Sequence, residues 1–184
     1  MLTESSSSPK KIRAMERHIL SILDFEVYNV EPMIPINRFL KAANMEGSAF
    51  FNEIAIFAMD SLTLNLHFWL EKSIKKASAC VLICILVRHF SDRNRPYKSL
   101  EELWTANMKY YAWFNPNELI EMVTYSLEFL VESVDFNRRM NKIKPDKFSM
   151  PLTIKYSSAS LHNSLLKEID ADAVKKALFF AKEN

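Results

Sequence analysis

Residues 73–90 read SIKKASACVLICILVRHF, a stretch that is apolar nearly all round when it is wound as a helix. A helix without a polar face belongs in the middle of a bundle, where other helices cover it. The preceding run, from Ala49 to Trp69, is also apolar over much of its circumference, and its apolar residues include Leu62, Leu66 and Trp69. Two such helices in succession predict a bundle in which the remaining helices wrap around them.

The composition favours the same fold class. The chain has 184 residues, of which 49% are hydrophobic and 25% charged, and only one is glycine. Tight turns between strands need residues that tolerate positive φ, whereas helices do not. The near absence of glycine therefore argues against an all-β or Rossmann-like fold. We predict an all-α protein with one helical domain.

Local start and stop signals place the other helices. Ser8 followed by Pro9, and Asn115 followed by Pro116, are N-cap and first-turn pairs that begin helices. The remaining predicted helices span approximately 9–23, 34–43, 100–110, 116–134 and 170–181.

The predicted domain organisation has three parts. Residues 1–8 form a serine-rich, disordered tail, and residues 9–135 form one helical repeat. Residues 136–184 form a C-terminal extension that contains a basic linker, from Arg138 to Lys147, and the final helix.

An ordered series of short motifs runs through most of the chain. It consists of Met15-Glu16, Ile19-Leu20, Leu23-Asp24-Phe25, Pro35, Phe39-Leu40, Asp60-Ser61-Leu62-Thr63-Leu64, Trp104, Tyr110-Tyr111 and Lys155-Tyr156-Ser157-Ser158. In order and spacing the series resembles the C-terminal repeat of the cyclin family, most closely that of the A- and B-type mitotic cyclins. The chain departs from the family at Lys75-Lys76, where cyclins usually carry apolar residues or alanine.

The resemblance implies a single cyclin-like five-helix repeat with two central buried helices and a C-terminal helical extension. It also implies a regulatory subunit, or a fragment of one, that binds or scaffolds a cyclin-dependent protein kinase in the nucleus or cytoplasm. Such a protein supplies no catalytic residue and no cofactor. In cyclins the first repeat supplies the kinase-contacting lysine and glutamate. We find no first-repeat motif to carry over, and we expect weak kinase activation by this chain alone.

Two other functions are compatible with these patterns. Cyclin-like repeats also occur in general transcription factors of the IIB type, which bind DNA and the TATA-binding protein. A net charge of +2 does not favour nucleic-acid binding. The remaining alternative is a helical adaptor without a kinase partner.

Few residues suggest a specific site. Trp113 and Phe114, just before the fifth long helix, are candidates for an exposed aromatic contact with a partner. Ser8 begins a Ser-Pro-x-Lys sequence that proline-directed kinases favour, so it is a candidate phosphorylation site.

No catalytic, cofactor or metal site is predicted. The four histidines are scattered along the sequence, and no glycine-rich phosphate loop is present. Cys80 and Cys84 lie one helical turn apart in an apolar run, which favours two buried thiols over a metal site. The longest apolar stretch, Ala77 to Val87, is too short to span a bilayer, so no membrane association is expected.

Overall fold

The computed structural model describes residues 8–25, 33–92, 96, 98–140 and 169–184. All regular secondary structure in these residues is helical, so the all-α prediction is confirmed. The remaining predictions for the N-terminal tail, for most of the basic linker and for the Lys155-Tyr156-Ser157-Ser158 motif lie outside the described residues. Within the described part of the chain, no helix has both the length and the apolar character needed to cross a membrane.

The helices follow one another in chain order. They are α1 (Pro9–Ile22), α2 (Met33–Ala42), α3 (Ala49–Leu64), α4 (Leu66–Trp69), α5 (Ser73–Ser91), α6 (Leu100–Leu103), α7 (Ala106–Ala112), the 3₁₀ helix Pro116–Leu119, α8 (Ile120–Met140) and α9 (Ala171–Glu183). The chain divides into two compact units, Met1–Val30 and Glu31–Asn184.

Helix α1 belongs to the first unit. The Ser8 side chain accepts a hydrogen bond from the backbone N–H of Lys11 at 3.4 Å, and Pro9 occupies the first turn, as the sequence predicts. The helix ends at Ile22. Asp24 and Phe25 then adopt left-handed backbone angles, and Phe25 N–H donates to Leu20 O at 2.8 Å, which closes the helix C-terminus.

Helix α5 lies at the centre of the second unit. Thirteen of its nineteen residues are buried, and it packs against α2, α3, α8 and α9. This confirms the prediction drawn from residues 73–90. Helix α3 packs on α5 and α8, and a buried hydrogen bond of 3.0 Å joins Ser61 Oγ on α3 to Ser126 Oγ on α8. Ser61 Oγ also donates to Ala58 O at 2.7 Å, so this buried hydroxyl has hydrogen-bond partners away from water.

Three predicted helix boundaries are wrong. Helix α3 ends at Leu64 and not at Trp69, because Asn65 leaves the helical conformation and caps the next helix. The segment near 100–110 forms two short helices, since the Thr105 side chain caps α7 after a break at Trp104. Helix α8 continues through Met140, so the start of the predicted basic linker is helical.

The final helix is part of the main core. Residues Ala171, Ala173, Val174, Ala177, Phe180 and Ala181 are buried, and α9 packs along α8 and α5. Two ion pairs join its outer face to α8, Lys182–Glu128 at 2.6 Å and Lys175–Asp135 at 3.2 Å. The sequence pattern predicted this helix, but only the fold shows that it covers the central helix.

The two cysteines should be unreactive in the folded protein. Cys80 and Cys84 are free and buried, and burial raises the pKa of both thiols far above the ordinary value. We expect the native protein to resist modification by a thiol reagent such as Ellman's reagent at pH 8, and the urea-unfolded chain to react at both cysteines. The pKa of each thiol is higher in the folded chain than in the unfolded chain. The contribution of the two neutral thiols to the free energy of unfolding is therefore complete below about pH 8.5 and is lost as the pH rises further. Rapid reaction of either thiol in native buffer would contradict this placement.

Candidate protein-binding surfaces

The structure separates the two aromatic residues that the sequence singles out. The Trp113 side chain is 83% exposed. Phe114 is half-buried and packs against the core, and its carbonyl oxygen accepts a hydrogen bond of 3.0 Å from Trp104 Nε1–H. Of the two, only Trp113 is exposed to solvent, while Phe114 helps to hold the turn.

Trp113 also has an unusual backbone conformation. It is the C-cap of α7 and adopts φ 60° and ψ 13°, in the left-handed region that glycine usually occupies. A bulky residue in this region costs about 1–3 kcal/mol. Tyr110 and Tyr111, which are 73% and 44% exposed, precede it on α7. These three residues, Tyr110, Tyr111 and Trp113, form what we call the aromatic surface.

A second exposed apolar surface lies on α4. Leu66, Trp69 and Leu70 are 77%, 62% and 93% exposed. Their spacing of i, i+3 and i+4 places them on one side of a helical turn. We call this the α4 surface; Leu64 and Ile74, also exposed, flank it in the sequence. A contiguous set of large exposed apolar residues is typical of a surface that contacts another protein.

The α4 surface is held in place from beneath. Asn65 Oδ1 accepts a hydrogen bond from His67 N–H at 2.9 Å and so caps the helix. Phe68, between the exposed residues, is only 4% exposed, and its ring meets the ring of Tyr125 on α8 edge-on with centroids 5.5 Å apart. One inward phenylalanine thus anchors a turn whose other large residues face solvent.

A buried lysine fixes the end of the same helix. Lys76 on α5 is 7% exposed, and its ammonium group donates to the carbonyl oxygen of Trp69 at 3.2 Å. A cation at a helix C-terminus complements the partial negative charge there. The neighbouring Lys75 forms an ion pair with Glu71 at 3.0 Å. The two lysines at which the chain departs from the cyclin pattern therefore both bind the α4 segment.

Sequence reasoning missed the α4 surface. It assigned Leu66 and Trp69 to the apolar faces of one long helix, and that assignment is wrong. An unbroken helix would place Leu66 four residues after the buried Leu62, on the same face. The available signal was Asn65, a preferred N-cap residue in the middle of the apolar run.

The two described histidines of the second unit, His67 and His89, have different surroundings. His18 lies on α1 in the first unit, and His67 pairs with Glu121 at 3.3 Å on the surface of the second. His89 is buried, with its ring 5.0 Å from that of Phe90, and His162 lies outside the described residues. Among the residues that the structure describes, no three His, Cys, Asp or Glu side chains are grouped so that they could hold a metal ion.

The regular secondary structure of the described residues is thus all-α, and the second unit carries two exposed apolar surfaces. Comparisons with protein-family models, with curated proteins and with solved structures find no match for the chain.

Proposed function

We propose that this chain is a cyclin-like regulatory module that binds a cyclin-dependent protein kinase through the α4 surface. The ordered motifs from Met15 to Ser158 suggest the class of partner by resemblance to cyclins. The single structural observation that supports the proposal is the exposed set Leu66, Trp69 and Leu70 on one helical turn. The chain acts by contact and contributes no reacting group.

The geometry of α4 suggests how the contact is made. Apolar side chains at i, i+3 and i+4 on a helix are the anchors that enter an apolar groove on a partner. Tryptophan is enriched among the residues that dominate binding energy at protein interfaces. Because Phe68 and Lys76 already hold the turn, little conformational entropy is lost when a partner binds it. The partner is therefore expected to present an apolar groove.

A binding assay with purified cyclin-dependent kinases tests this proposal. We expect the 184-residue chain to bind at least one of these kinases in calorimetry. Replacing both Trp69 and Leu70 by serine should weaken the binding at least about thirtyfold, which is the effect of losing one strong interface residue. Both side chains are exposed, so the helical circular dichroism spectrum should not change.

A matched double variant supplies the control. Tyr110→Ser combined with Trp113→Ser also removes two large exposed side chains, and we expect it to weaken binding by less than about fivefold. If this variant alone abolishes binding, the aromatic surface is the contact and the assignment to α4 is wrong. If no kinase binds and the chain instead binds DNA in a salt-dependent manner, the proposed function itself is wrong.

A further inference from the structure

A polar cavity lies at the opposite end of the central helix from α4. It has a volume of about 220 Å³ and is bounded by the end of α2, the last turn of α5, and the α6–α7 segment. This volume exceeds that needed for a single water several times over and leaves room for a phosphoryl group. It shares no lining residue with the α4 surface. Its function is therefore independent of the proposed kinase contact.

Two cationic side chains, Arg88 and Lys98, line the cavity. Arg88 is half-buried, and its Nη1 donates to the carbonyl oxygens of Ala43 and Asn44 at 3.4 Å and 3.1 Å. These bonds orient the guanidinium group and leave its other nitrogens without a recorded partner among the described residues. Lys98, also on the wall, makes no ion pair within 4.0 Å in the same part of the chain.

Other wall residues can add neutral donors. The hydroxyl of Thr105 accepts a hydrogen bond from Met108 N–H at 3.5 Å and keeps its own proton to donate. The Asn107 amide also lines the cavity. A fixed guanidinium, an ammonium, a hydroxyl and an amide are the donor types that proteins use to bind phosphate.

One carboxylate opposes this charge. Glu102 lines the cavity, and its Oε2 accepts a hydrogen bond from Ser99 N–H at 2.7 Å. Hydrogen bonds from Ser99 lower the pKa of the Glu102 carboxyl, and the charge of Lys98 lowers it further, so the group is ionised near neutral pH. Arg88, Lys98 and Glu102 together contribute one net positive charge to a wall that also includes His89. Glu102 therefore limits the affinity for an anion and gives the site a testable signature.

We propose that this cavity binds the phosphoryl group of a phosphate monoester, with Arg88 and Lys98 as its charged contacts. The monoester is either a small free compound or a phosphorylated side chain of a protein partner. Both sources offer the same three oxygens to the guanidinium fork and the ammonium group.

Calorimetric titration with O-phosphoserine, with inorganic phosphate and with a phosphoserine peptide tests the site. We expect Lys98→Gln to weaken binding of the phosphorylated probe about tenfold. Arg88→Lys should weaken it at least as much, because lysine cannot form two parallel bonds to phosphate. Glu102→Gln should strengthen it about threefold, since the substitution removes a repelling charge and keeps an oxygen for Ser99 N–H.

Lys109→Gln is the matched control, because this exposed lysine on α7 does not line the cavity. It should leave the affinity unchanged within about twofold. Binding of the peptide alone identifies a protein partner as the source, and equal binding of O-phosphoserine identifies a small ester; both results support the site. Absence of binding at millimolar concentrations of every probe overturns it. So does an equal loss in Lys98→Gln and Lys109→Gln, or no gain in Glu102→Gln.

Discussion

Replacing Trp104 by alanine is expected to lower the free energy of unfolding by about 3–5 kcal/mol. Trp104 is fully buried between α6 and α7, and its Nε1–H donates to Phe114 O at 3.0 Å. The substitution leaves a large cavity and an unpaired carbonyl group. Urea unfolding followed by circular dichroism measures the change without depending on tryptophan fluorescence.

Two further variants divide this effect into its causes. Trp104→Phe keeps most of the apolar contact but loses the hydrogen bond, so a smaller loss of about 1–3 kcal/mol is expected. Trp113→Ala removes the same type of side chain from an exposed position and should change stability by no more than about 0.5 kcal/mol. If Trp104→Ala and Trp113→Ala had equal effects, Trp104 would not be the buried anchor of this turn.

A charge placed in the buried contact between α9 and helices α5 and α8 should lower the free energy of unfolding by a comparable amount. Val174 is fully buried, with 0% of its surface accessible to water. In Val174→Asp a carboxylate would be buried among apolar side chains, and the expected cost is at least about 3 kcal/mol. Since domains of this size are stable by only about 5–15 kcal/mol, the substitution should remove a substantial share of the free energy of unfolding.

Lys176→Asp is the matched control for this prediction. It introduces the same residue on the same helix at an exposed position, and a change within about 0.5 kcal/mol is expected. Thermal unfolding and limited proteolysis compare the two variants. Equal stability of both would mean that α9 does not belong to the core of the bundle.

Much of the fold could be predicted because the relevant signals are local. The absence of a polar face on residues 73–90 indicates burial of α5 whatever surrounds it. Ser8, Ser48 and Asp170 each cap a helix with a side-chain hydrogen bond to a backbone N–H two or three residues further on. Such interactions depend on neighbouring residues alone, so a single sequence reveals them.

The candidate surfaces were less predictable, for two physical reasons. At Trp113 the sequence indicated exposure, but the same argument applied to Phe114, which packs against the core and whose backbone carbonyl accepts a hydrogen bond from Trp104 Nε1–H. At α4 one residue, Asn65, ends α3 and begins a new helix in a different direction from an unbroken one. The side chains after it consequently turn to solvent, although their apolar character suggested the core.

The sequence by itself determined that this protein is helical, that α5 is its central helix and where several helices begin. The tertiary structure alone decided which apolar residues are exposed on α4. It also brought Arg88, Lys98 and Glu102 to one cavity, although the end of α5 and the start of α6 are separate elements. The physical reason is the distance over which each interaction acts. Helix caps and apolar periodicity depend on residues a few positions apart in the sequence, whereas exposure and charge clustering depend on how distant helices pack.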